Sequence, residues 1–124
     1  KLKNKFEFKD LGTTGTDSVD YPDYAHKLSE KISKKKFSHG ILICGSGIGM
    51  SMVANRYSNV RAALCIDEKM AKLAKEHNNA NILVLGSRLI SKEEAIKCLM
   101  MFFNTNFEGD RHQARLDKFN NVKI

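Results

Sequence analysis

The sequence predicts an α/β fold: a Rossmann-like parallel sheet in three layers, with helices on both faces. Three observations carry that expectation. The runs HGILICG (39–45), VRAALCI (60–66) and NILVLG (81–86) are short and almost wholly apolar, as strands covered on both faces are. A stretch with helical signals follows each run, which is the alternation of βαβ units. Finally, 124 residues with 42% hydrophobic content suit one compact domain, residues 1–124, rather than two.

In chain order, FEFKDLG (6–12) alternates apolar and polar residues and stops at Gly12, which predicts a partly exposed strand. TTGTDSVDYPDY (13–24) reads as loop, and helical signals run from Asp23 to Lys35. After the first apolar strand a helix is expected from Met50 to Ser58. After the second, Asp67 can cap a helix that ends near His77. After the third, Ser91 and Glu94 have the spacing of a capping box for a helix reaching Asn104, and Asp110 can start a last helix. There are no internal repeats and no low-complexity segments.

Composition narrows the function classes. Twenty-one Lys plus Arg against 14 Asp plus Glu leave a net charge of +7, which suits either a nucleic-acid partner or an anionic small substrate. Much of the surplus is Lys in KLKNK and KKK, stretches that decorate a surface more often than they build a site. No aromatic-interleaved basic stretch is present, so a nucleotide- or RNA-binding module is the weaker alternative. No apolar run approaches the roughly 20 residues of a membrane span, and no signal peptide precedes the first strand. The three cysteines show no CxxC or other metal-ligand spacing. A soluble protein in a reducing cytoplasm is the economical expectation.

In parallel α/β sheets ligands bind at the carboxyl ends of the strands, which draws attention to residues 44–49, to Asp67 and to residues 86–88. Gly45, Gly47 and Gly49 are spaced G-x-G-x-G, so the loop is neither a dinucleotide fingerprint nor a Walker loop. It offers backbone N–H groups at a helix N-terminus, suited to a carboxylate, a phosphate or a developing oxyanion; a tight strand-to-helix turn is the plainer reading. Cys44 ends the strand beside this loop, where the positive end of the helix favours a thiolate, whereas Cys65 and Cys98 read as small buried hydrophobes. His77 and Asn78 close a helix: the histidine suits the helix dipole there, or acid–base work if the helix end projects toward Cys44. Arg111 and Arg115 lie four apart on one helix face and suit either a phosphate or solvent.

Six segments in register, DLGT, DYPDYA, ILICGSGIGMSMVAN, RAALC, EHNNANILVLGSR and FEGDRHQARLDK, together resemble the type B ribose-5-phosphate isomerase family. That family also contains galactose-6-phosphate and allose-6-phosphate isomerases. The resemblance implies aldose–ketose isomerisation of an open-chain sugar phosphate through a cis-enediolate, in the ribose 5-phosphate/ribulose 5-phosphate pair of the pentose phosphate pathway. Cys44 is then the base, and Gly45, Ser46, Gly47 and Gly49 hold the enediolate oxygen; family members commonly have Thr where this chain has Ser46. His77 assists ring opening, Asn78 binds substrate oxygens and Tyr21 lines the pocket. Arg88, Arg111 and Arg115 grip the phosphate, part of the set reaching the pocket from a second subunit. The resemblance also implies a homodimer, or a tetramer made of two such dimers, with no metal or organic cofactor.

Galactose-6-phosphate and allose-6-phosphate isomerisation remain the alternatives. The galactose enzymes divide their site residues between unlike subunits, whereas Cys44, His77, Arg111 and Arg115 here share one chain. The family also opens with a strand ending in Asp-His, placed between the FEFKDLG and HGILICG strands, and this chain starts at KLKNKF inside the helix that comes after it. The expectation is therefore that residues preceding Lys1 in the natural protein supply that strand, without which buried backbone groups in mid-sheet lack partners.

Overall fold

The computed structural model describes residues 8–12 and 20–122. In chain order the elements are α1 (Tyr21–Ser33), β1 (Gly40–Cys44), α2 (Ile48–Ala54), β2 (Ala62–Leu64), α3 (Glu68–Asn78), β3 (Ile82–Gly86), α4 (Lys92–Asn104) and α5 (Arg111–Leu116). The strands form one parallel sheet in the order β1-β3-β2, with Gly40 and Ala62 both opposite Ile82, and Cys44 opposite Gly86. No helix among the described residues is long and apolar enough to cross a membrane.

β3 sits in the middle and shows why its sequence has no polar position. Side chains alternate across a strand, so Ile82 and Val84 face one layer, with Ala25 and Ile32 of α1, Met50 and Ala54 of α2 and Leu42 of β1. Leu83 and Leu85 face the other, with Ala71 and Ala74 of α3 and Cys98 and Phe102 of α4. All four β3 side chains are buried. The three-layer α/β architecture expected from the apolar runs is the one observed.

Several boundaries differ from expectation for local reasons. α1 begins at Tyr21, two residues before the expected Asp23, because Pro22 falls in its first turn, where its fixed φ fits and its missing N–H costs nothing. α2 ends at Ala54, not Ser58, and β2 keeps only Ala62–Leu64 of the expected seven-residue run. Asp67 caps α3 as expected, accepting from the Met70 N–H at 2.8 Å, and Ser91 caps α4 by accepting from Glu94 N–H at 3.1 Å. The capping box is not reciprocal, however. Glu94 Oε1 accepts from Glu68 N–H at 2.9 Å, so one side chain of α4 satisfies an orphan donor at the start of α3 and ties the two helices together. Asp110 precedes α5 with φ at 51° and makes no side-chain cap.

The strand expected over residues 6–12 does not form in its described part, residues 8–12; its first two residues lie outside the described residues. There the Asp10 carboxylate accepts from Gly12 N–H at 2.8 Å and bends the chain. Among the described residues β1 is an edge strand, paired with β3 alone, so no neighbouring ladder is on hand to draw residues 8–12 into the sheet.

The amino edge of the sheet is held by a polar network. Arg61 N–H donates to Asn81 Oδ1 at 2.7 Å, Asn81 Nδ2 to the Asn59 carbonyl at 2.6 Å, and Arg61 Nε to the Asn79 carbonyl at 2.8 Å. Nearby, Lys75 Nζ lies 3.1 Å from His39 Nε2, whose ring packs edge-on against Phe102 and Phe103. Partial burial first, then the charges of Lys75 and Arg61, hold His39 below its ordinary value of 6.5. A histidine with a lowered folded-state pKa contributes stability that is complete above about pH 6.5 and is lost as the pH falls through the folded value. The thermal midpoint is therefore expected to drop between about pH 7.5 and about pH 5.5. His39→Gln, which keeps an acceptor for Lys75 but does not titrate, is expected to show a smaller drop; equal drops would remove His39 from the account.

Candidate active site

β1 delivers Cys44 to the carboxyl edge of the sheet, and two backbone bonds fix the loop beyond it. Ser87 N–H donates to the Cys44 carbonyl at 2.8 Å, and Arg88 N–H to the Gly45 carbonyl at 2.9 Å, so the loops after β1 and β3 are clamped side by side. The clamp leaves no room for a side chain at position 86: a Cβ there would lie 2.6 Å from the Ser46 carbonyl carbon. Gly47, at φ 78°, takes the left-handed conformation that turns the loop into α2, and a Cβ there would meet Leu64 Cδ1 at 2.6 Å. Gly49 is bare for a third reason, since a Cβ would collide with the ring and hydroxyl of Tyr21.

The loop amides are partly committed within the loop. Gly47 N–H donates to Cys44 Sγ at 3.1 Å, and Ile48 N–H donates to Ser46 Oγ at 3.2 Å. Cys44 is partly exposed, whereas burial pushes the Cys65 thiol up to about 12 and the Cys98 thiol up to about 11, which keeps both protonated and unreactive. Burial and backbone contacts thus single out one cysteine of three. Tyr21 against Gly49 and the Arg88 guanidinium, 3.3 Å from a Cβ placed on Gly45, complete the cluster.

His77, Asn78, Arg111 and Arg115 are not part of that cluster. α3 leaves the carboxyl end of β2 and must run back to reach the amino end of β3, so its last residues stand at the opposite edge of the sheet. Four strand steps at about 3.3 Å put the two edges about 13 Å apart. The condition attached to His77, that its helix end project toward the Cys44 loop, is not met within one chain. At this second edge Glu108 N–H donates to the Glu76 carbonyl at 3.0 Å, which docks the segment before α5 onto the end of α3.

His77 and His112 stack there, with ring centroids 4.3 Å apart and planes 16° from parallel. Glu108 Oε1 lies 3.8 Å from His77 Nε2 and 3.6 Å from His112 Nε2. His112 is nearly buried, while His77 and Glu108 are open to solvent. Burial first, then the positive neighbours His77, Arg111 and Arg115, hold His112 below the usual imidazole range, against the opposing pull of Glu108. Residue types alone do not single out Glu108 and His112; the signal lies in FEGDRHQARL, where they flank the arginines at a one-turn spacing.

The chain as a whole has counterparts among known proteins. Residues 1–119 match the sequence profile of the Ribose/Galactose Isomerase family. The chain belongs to that family. This isomerase is 48% identical over 120 residues to the probable ribose-5-phosphate isomerase B of Mycoplasma genitalium, an alignment covering 94% of this chain and 79% of the relative. Its fold superposes on the ribose 5-phosphate isomerase of Thermotoga maritima with a TM-score of 0.92 and 50% identity, covering 98% of this chain and 83% of the other. It also superposes on ribose-5-phosphate isomerase B of Mycoplasma genitalium with bound ribulose-5-phosphate, at a TM-score of 0.90 and 46% identity over 94% and 78% of the two chains.

Because Ser46 backbone occupies the space a side chain at 86 would need, Gly86→Ala is expected to destabilise this isomerase by about 1–3 kcal/mol, read from urea unfolding. A change under about 0.5 kcal/mol would mean the loop yields freely and is not positioned by this contact.

Proposed function

We propose that this isomerase interconverts ribose 5-phosphate and ribulose 5-phosphate through a cis-enediolate, with Cys44 as the base. The observation that carries the reading is the setting of Cys44: a partly exposed sulfur at a strand end, receiving the Gly47 N–H at 3.1 Å, with Tyr21 and Arg88 beside it. The thiolate takes the proton from C2 of the open-chain aldose and the electron pair moves to the C1 carbonyl oxygen; the proton of the C2 hydroxyl then passes to that oxygen, and the thiol returns its proton to C1 to leave the ketose. Loop amides at Gly45 and Gly49 and the Ser46 hydroxyl face the oxygen that becomes negative. The relatives named for ribose 5-phosphate isomerisation, one with ribulose-5-phosphate bound, support this substrate over the galactose and allose 6-phosphates.

The second half of the machinery comes from another copy. His77 opens the furanose ring, Asn78 binds sugar oxygens, and Arg111 and Arg115 join Arg88 on the phosphate. Their position at the far edge of the sheet supports a homodimer in which the amino edge of one chain faces the carboxyl edge of its partner. Each copy then takes part in two composite sites.

Coupled assays with ribose 5-phosphate, allose 6-phosphate and galactose 6-phosphate test the substrate and the thiol together. Ribose 5-phosphate is expected to be turned over best, and Cys44→Ala to lower kcat by about 10²–10⁴-fold. Preference for a hexose phosphate would overturn the substrate, and full activity without the thiol would overturn the base.

Subunit mixing tests the composite site. Cys44→Ala and His77→Ala are each expected to be nearly inactive. Unfolded together and refolded as a mixture, they are expected to regain about a quarter of wild-type activity, since half of the dimers are mixed and each mixed dimer holds one intact site. No recovery in a mixture shown to contain mixed dimers would place His77 and Cys44 of the same chain in one site.

A further inference from the structure

The cluster at the amino edge carries more than ring opening requires. His77 at the end of α3, Glu108 in the docked segment and His112 in α5 bring two imidazole nitrogens and a carboxylate oxygen within 4.8 Å of one another. The two Nε2–Oε1 separations are 3.8 and 3.6 Å. In a tetrahedral zinc site with bonds of about 2.0–2.1 Å, neighbouring ligand atoms stand about 3.4 Å apart. Two sides of the ligand triangle are therefore within a few tenths of an ångström of that spacing, and the third, between the imidazole nitrogens, is at most 4.8 Å. Two imidazoles with one carboxylate suit zinc-class divalent ions and not magnesium or calcium, which take oxygen ligands.

We propose that His77, Glu108 and His112 form a binding site for a zinc-class divalent cation, which inhibits the enzyme by withdrawing His77 from the substrate. The inhibitory half rests on the role of His77 given above; the binding half does not. The ligands are supported by the backbone: Glu108 N–H is held by the Glu76 carbonyl at 3.0 Å, one residue from His77, and His112 N–H by the Gly109 carbonyl at 3.0 Å. One movement is needed. A metal must lie in the plane of each ring it ligates, and planes only 16° apart do not meet near their nitrogens. His77, on the solvent side of the stack, supplies the tilt, while the buried His112 ring stays in place. Three protein ligands leave the fourth position to water or to a substrate oxygen. Arg111 and Arg115 oppose a cation and Glu108 offsets one of those charges, so binding is weaker than at a structural zinc site.

Cobalt(II) reports the geometry directly. In a titration in phosphate-free buffer, one Co²⁺ per chain is expected to bind with the visible bands of a four-coordinate ion and no thiolate charge-transfer band; Cys44→Ser is expected to bind it equally. Glu108→Gln, at an exposed position that leaves the fold intact, and His77→Gln are each expected to weaken binding. Loss of an outer-shell partner already costs about 10–100-fold, and loss of a ligand is expected to exceed that. Zn²⁺ is expected to displace the cobalt and to inhibit turnover competitively with the sugar phosphate. Octahedral bands, or Glu108→Gln binding as well as the wild type, would overturn the site. Binding at the site without inhibition would overturn the inhibition and count against the role of His77. No binding, with turnover still abolished by His77→Ala, would overturn the site and leave that role standing.

Discussion

The rest of the molecule depends on one close approach, the backbone of Ser46 against Gly86. The register that places Cys44 opposite Gly86 ends both strands at the same level, and the loops leaving them must then pass each other at van der Waals distance. Glycine at 86 makes that passage possible, and the bonds from Ser87 and Arg88 to the Cys44 and Gly45 carbonyls keep it closed. With the loop held in this way, Gly47 can turn its N–H onto the Cys44 sulfur. The Cys44 sulfur is thus positioned by backbone on a buried sheet and by no flexible side chain, an arrangement that restricts its movement, as the proton transfer proposed for it requires.

The same parallel topology separates the functional residues into two groups. In a βαβ unit, residues at strand carboxyl ends and residues at the carboxyl end of the following helix stand on opposite edges. Cys44, Ser46, Tyr21 and Arg88 belong to the first kind of position, and His77 and Asn78 to the second. No rotamer change brings the two together across about 13 Å of sheet. The reaction proposed for this chain needs both and would draw them from two chains, which would make oligomerisation part of the chemistry and not an addition to it.

Much of this was legible in the sequence because the apolar runs are continuous. A strand buried on both faces cannot hide a polar residue, so ILVLG announces a central strand by composition alone. The caps at Asp67 and Ser91 were legible for a similar reason: a side-chain acceptor three residues before a backbone donor acts locally. Contacts distant in sequence were not. Glu94 reads as the return half of a capping box, yet its carboxylate satisfies Glu68, a residue 26 positions away. The alternation in FEFKDLG likewise describes a face without supplying a partner, and residues 8–12 do not join the sheet. In the site, the glycine spacing showed a loop free of side chains, but why two of the glycines are bare required two different neighbours: Leu64 for Gly47 and Tyr21 for Gly49.

The edge bearing His77 illustrates how one set of residues can serve opposed demands. The phosphate grip proposed for Arg111 and Arg115 calls for positive charge at this edge, and the two guanidiniums carry it. Burial first, then the same charges, hold His112, the ring stacked on His77, below the usual imidazole range and so favour its neutral form. Glu108 works the other way on His112, favouring its protonated form, and approaches both imidazoles within 4 Å. His77 therefore sits between a neutral ring and a carboxylate with solvent on its open face. That exposure leaves the ring open to whatever comes to that edge, the substrate of the proposed ring opening included.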